Sequence, residues 1–159
     1  ASFAQKVGEA LSAWEEGYMD IHHINTGCGE CAYLILPDGT TMLIDAGENK
    51  AGIPRHVSPR PNASRTPGEW IVDYIKAVAP VQNQKLDYAL ITHFHSDHMG
   101  GVLKTKNESG RYYNTGIITV AENLQISTLV DRGFPDYKFL VDQCRTIPSG
   151  SGESIQAFA

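Results

Sequence analysis

The chain has 159 residues, 42% of them hydrophobic and 19% charged, enough for one domain with its own core. That balance excludes a disordered or fibrous chain, and no apolar run approaches the ~20 residues needed to span a bilayer. A net charge of −5 argues against general nucleic-acid binding.

Ser2-Phe3-Ala4 has the small-x-small form of a signal-peptidase site, which points to a periplasmic or secreted protein, with a cytoplasmic one as the alternative. Val7, Ala10, Leu11 and Trp14 lie at helical spacing before Gly17, predicting a short docking helix over Lys6 to Glu16. The expected organisation is a tail and docking helix over 1–18, a main domain over 19–148, and a linker with the start of a truncated segment over 149–159.

Met19 to Asn25, Cys31 to Leu36 and Thr40 to Ile44 read as strands of an antiparallel meander, joined by a glycine-bearing turn and by Pro37-Asp38-Gly39. Three cysteines leave at least one thiol unpaired within the chain. Cys28 and Cys31 form a C-x-x-C that fits a redox pair or disulfide, half of a structural zinc site, or small residues in a tight turn; Cys144 stands apart.

From Gly47 to Pro67 there is no apolar periodicity, and such a long connection is commonly functional. Its Arg55, His56, Arg60 and Arg65 are candidate substrate contacts, and Lys104, Lys106 and Arg111 form a second basic loop. Thr66-Pro67-Gly68-Glu69 carries a capping-box signature for a helix with Trp70, Ile71, Tyr74, Ile75 and Val78 on one face, ended by Pro80. Leu86 to Ile91 reads as a buried strand, and Ile117 to Val120 and Ile126 to Val130 as two more; Pro135 opens a helical turn.

The chemistry concentrates in Thr92-His93-Phe94-His95-Ser96-Asp97-His98-Met99-Gly100-Gly101, which holds three of the six histidines. Imidazole and carboxylate are ligands for zinc, manganese or iron. His93 and His95, two apart on extended backbone, project the same way and can share an ion; the adjacent Asp97 and His98 diverge towards a second ion or another flank of the site. Satisfied polar side chains at a helix start, with Asp97 as cap, are the bland alternative. Asp45 could ligate metal, brace a histidine or form a turn. His22 and His23 face opposite ways in the first strand and are not expected to be ligands.

His93-x-His95-x-Asp97-His98 resembles the signature of the metallo-β-lactamase fold, and Ile44-Asp45-Ala46-Gly47 resembles its earlier aspartate motif. Ile21 to Glu30, followed by Pro37-Asp38-Gly39, is similar to the opening of the hydrolase domain of ComEC-type competence proteins, with Cys28 and Glu30 where that family has glutamine and aspartate. The resemblance covers about Met19 to Val102. It implies a layered α/β fold, an αββα sandwich of which this chain supplies about the first half. It also implies two divalent ions, zinc first with manganese or iron as alternatives, with His93 and His95 on the first, Asp97 and His98 on the second, and Asp45 in support. The implied activity is hydrolysis by a metal-activated water, with Asp97 orienting it; the ligand cluster with the two basic loops favours a phosphodiester or other phosphate-containing substrate. Lactone, thioester or amide hydrolysis is one alternative, and a non-catalytic half-domain with an incomplete site is another. No histidine follows His98, so the remaining ligands are expected from a C-terminal half on another segment or chain; Asp131 and Asp136 are the only late carboxylates in suggestive places.

Overall fold

A computed structural model describes residues 8–48, 57–101, 114 and 116–135. Five strands form one sheet in the order β1 (Asp20–His23), β2 (Ala32–Ile35), β3 (Thr41–Ile44), β4 (Leu86–Ile91) and β5 (Ile126–Asp131). The first three pair antiparallel, as the short turns between them demand; β3, β4 and β5 pair parallel. Helix α1 (Pro67–Val78) connects β3 to β4, and α2 (Ser96–Met99) and α3 (Gly116–Asn123) lie between β4 and β5. The carboxyl ends of β3, β4 and β5 therefore share one sheet edge with the β1–β2 connection. This is a mixed α/β arrangement consistent with part of a metallo-β-lactamase-like fold.

Helix α1 starts as its sequence dictates. Glu69 N–H donates to the Thr66 hydroxyl, the Glu69 carboxylate accepts from Thr66 N–H at 2.7 Å, and Pro67 occupies the first turn. Ile71, Val72 and Ile75 are buried, each contributing about 2 kcal/mol of apolar burial. They join Tyr33, Ile35, Leu43, Ala89, Ile91, Ile117 and Val120 in one core between the sheet and α1 with α3. The opposite sheet face is apolar and poorly covered. Ile21, Leu34, Met42 and Tyr88 lie in register across four strands, with Ile21 55% and Tyr88 44% exposed.

At the edge remote from the strand carboxyl ends, Asp87 ties β4 to β3. Its Oδ2 accepts from Thr41 N–H at 2.9 Å and from Asn83 Nδ2 at 2.7 Å, while Lys85 Nζ lies 2.8 Å from Oδ1. Burial alone would raise this carboxyl, but the bonds from Lys85, Thr41 and Asn83 prevail and hold it at about 2.

Two elements differ from the sequence expectation. Residues 117–120 are helical, in α3, because Ile117, Val120 and Leu124 recur at helical spacing and bury together, which overrides their β-branched preference. Residues 8–16 contain no helix. Gly8 and Gly17 both have left-handed φ, near +90°, and the few residues between them are too few for a self-supporting helix. The segment still docks: Gly17 N–H donates to Pro37 O at 2.8 Å, and Trp14 packs on the core while its Nε1 donates to Tyr18 O. The expected turn at Pro135 and the basic residues Lys104, Lys106 and Arg111 lie outside the described residues, apart from Pro135 itself.

Candidate metal centre

Asp45 follows β3 with φ +59°, a left-handed conformation that aspartate tolerates better than most residues. The turn brings its carboxylate, 1% exposed, beneath the end of β4. There Oδ1 accepts from Thr92 N–H at 2.8 Å, and Oδ2 accepts from the Thr92 hydroxyl at 2.7 Å. Oδ2 also lies 2.8 Å from His98 Nδ1. A carboxylate can only accept, so the His98 proton sits on Nδ1 and the Nε2 lone pair is left for a cation. Asp45 is thus a brace for His98.

Main-chain contacts fix the ligand-bearing segment. Asp97 O accepts from Glu30 N–H at 2.9 Å, His98 O from Ala46 N–H, and Ser96 O from Glu48 N–H at 3.2 Å. Gly47 N–H in turn donates to Glu30 O at 2.9 Å. Gly29 and Gly47 permit this approach: a Cβ on either would lie 1.9 or 2.2 Å from Asp97 O. Neither position can carry a side chain while α2 stays in place.

His93, Asp97 and His98 each offer a ligand atom, all within 4.8 Å of one another and half-buried. Two imidazoles and a carboxylate gathered this closely are a donor set suited to a divalent ion, so the residues fit one. The His93 and His98 ring centroids are 3.8 Å apart. Burial, and secondarily the neighbouring His98 and His95, lower the basicity of His93, which favours the neutral, ligating form. His95 stands beside this trio, with its ring centroid 4.7 Å from that of His93. It occupies the N-cap position of α2 without a side-chain cap bond, so Asp97 is not the cap.

The other candidates separate. Asp131 ends β5 opposite Ile91, on the same sheet edge, and its Oδ1 accepts from Gly133 and Phe134 N–H. Arg60 and Arg65 line a cleft, but Arg65 is bound to Asp73 at 2.8 Å and lies over the Trp70 ring. Arg55, His56, Asp136 and Cys144 lie outside the described residues. Cys28 and Cys31 are free thiols, and burial pushes the Cys31 thiol far above its usual range, so it is inert. His22 is tied to the Tyr74 hydroxyl at 3.0 Å on the helix-covered face, while His23 points outward. Thr92, which carries two of the hydrogen bonds to Asp45, is not singled out by sequence reasoning; only its place between strand and ligands hinted at it.

Comparison with known proteins found no match among curated proteins and none among solved structures. The family model described as "Metallo-beta-lactamase superfamily" matches residues 25–110, a span holding Asp45 and all four motif residues. Members of that superfamily bind divalent metals, and most are hydrolytic. With more than half of its 159 residues matched and the ligand cluster at the expected strand end, the chain belongs to the metallo-beta-lactamase superfamily.

Proposed function

We propose that the chain is a metal-dependent hydrolase carrying one side of a dinuclear centre. The convergence of His93, Asp97 and His98, with His98 oriented by buried Asp45, carries this reading. His93 and His95 would hold one ion, and Asp97 and His98 the other, with zinc first in order and manganese or iron as alternatives. Bound ions of this kind supply the Lewis acidity that makes water a competent nucleophile at neutral pH. Asp97, 46% exposed at its side chain, would orient that water, and Asp45 holds the His98 ring against rotation.

A phosphate-containing substrate is favoured because Arg60, which has no ion-pair partner among the described residues, lines the cleft beside the turn 24–27. The order of strands and turns through Pro37-Asp38-Gly39 and Ile44-Asp45-Ala46-Gly47 supports a ComEC-type relationship within the superfamily. The apolar face of Ile21, Met42 and Tyr88 supports a covering second sheet, from another segment or chain, which brings the remaining ligands.

Bis-(p-nitrophenyl) phosphate tests this. Hydrolysis lost in EDTA and restored by zinc or manganese is the expected result, and hydrolysis that persists in EDTA overturns it. Cleavage of lactones, thioesters or amides alone would move the substrate class. A metal content near zero would favour the non-catalytic half-domain.

A further inference from the structure

A cleft of about 130 Å³ lies between the turn 24–27 and the start of α1. Ile24, Pro59, Ala63, Pro67 and Trp70 give it an apolar wall, and two arginines reach it. They differ in what they are free to do. Arg65 is committed: Asp73 neutralises it at 2.8 Å, and its guanidinium sits 5.5 Å from the centre of the Trp70 ring. Arg60 has no ion-pair or hydrogen-bond partner among the described residues. Trp70 is itself held in place, because its Nε1 donates to Asn62 O at 3.2 Å. The wall is thus fixed by contacts within the protein, while one planar cation remains available.

The cleft and the ligand cluster share a partition. Gly27 borders the cleft, and two residues on, Gly29 abuts the Asp97 carbonyl. Two residues of chain span at most about 7 Å. We propose that this cleft binds an oxyanion carried on an apolar or aromatic group, with Arg60 as its counter-charge and the Trp70 side as its wall. Guanidinium suits this task because its fork of donors matches a phosphate or carboxylate. That the bound group belongs to the hydrolase's substrate rests on the function proposed above; the binding itself does not.

The test is an NMR titration of the metal-free protein in EDTA at pH 7.5, following the Trp70 indole signal. Phenyl phosphate, inorganic phosphate and benzoate are added in turn. Phenyl phosphate is expected to shift this signal and to bind about tenfold more tightly than inorganic phosphate, which lacks the apolar part. Benzoate matching phenyl phosphate would mark a site that accepts either oxyanion, and benzoate failing to bind would mark a phosphate site; either agrees with an oxyanion cleft. Arg60→Ala should weaken phenyl phosphate about tenfold and Arg60→Lys less, with the remaining spectrum showing that both variants are folded. Equal binding by wild type and Arg60→Ala overturns the cleft, whatever the protein hydrolyses. Loss of binding in Arg60→Ala with KM unchanged in an active enzyme overturns its role in substrate recognition. Loss of binding in a protein that hydrolyses nothing leaves the cleft standing and removes the hydrolase reading instead.

Discussion

His98 Nδ1 and Asp45 Oδ2 lie 2.8 Å apart, joining two side chains 53 positions apart in sequence. The same carboxylate takes both the hydroxyl and the N–H of Thr92, so one buried aspartate sets the histidine's tautomer and the exit angle of β4. Asp45→Asn keeps the size and tolerates the left-handed backbone but replaces one acceptor with a donor. Metal affinity, measured by competition with a chromophoric chelator, should fall 10- to 100-fold. Unchanged affinity would show that Asp45 does not orient His98.

Gly47→Ala places a methyl group 2.2 Å from Asp97 O. The obstacle is main chain, so relief requires α2 to move away from Asp45 and Glu30. A loss of about 2 kcal/mol is expected in urea unfolding, together with weaker metal binding. Full stability would mean that the 47 and 97 backbones are not in contact in solution.

Asp87 gives an acid limb to stability. Its folded carboxyl is held at about 2, below the ~3.9 of an unfolded aspartate, so the unfolded chain binds the proton first. The contribution is present above pH ~4 and fades as the pH falls towards 2. With a fifth of the side chain exposed, screening leaves it at roughly 1–2 kcal/mol. Asp87→Asn should flatten this part of the stability-versus-pH curve; an unchanged slope would assign the acid sensitivity elsewhere.

The sheet face bearing Ile21, Met42 and Tyr88 should bind the dye ANS in the isolated chain. Tyr88→Lys should cut that fluorescence at a stability cost below about 0.5 kcal/mol, since the ring is already 44% exposed. Undiminished fluorescence would place the dye on another surface.

The elements most legible in the sequence were those with local chemistry of their own. Thr66, Pro67 and Glu69 announced α1, and the turn at Pro37 to Gly39 announced the β2–β3 hairpin. Of the four donors that the sequence places in six positions, His93, Asp97 and His98 come within 4.8 Å of one another. The run Ile117-Ile118-Thr119-Val120 misled, since its β-branched side chains favour strands while its burial against α1 depends on the fold as a whole. Leu124, seven residues after Ile117, was the helical clue. Trp14 likewise finds its place through the Tyr18 carbonyl and the core, neither of which a helical spacing rule registers.

The segment that carries the histidines is strapped down by its carbonyls, through Glu30, Ala46 and Glu48, and by two glycines that let neighbouring strands of chain lie flush against it. The path of residues 96–98 is therefore set by main-chain contacts rather than by the Asp97 side chain. Scaffold and chemistry are separable at that position. If Asp97 ligates a metal as proposed, its exchange for another donor should retune the preference of the site without redrawing the backbone. Position 98 is the exception, because any residue there inherits Asp45 as a neighbour.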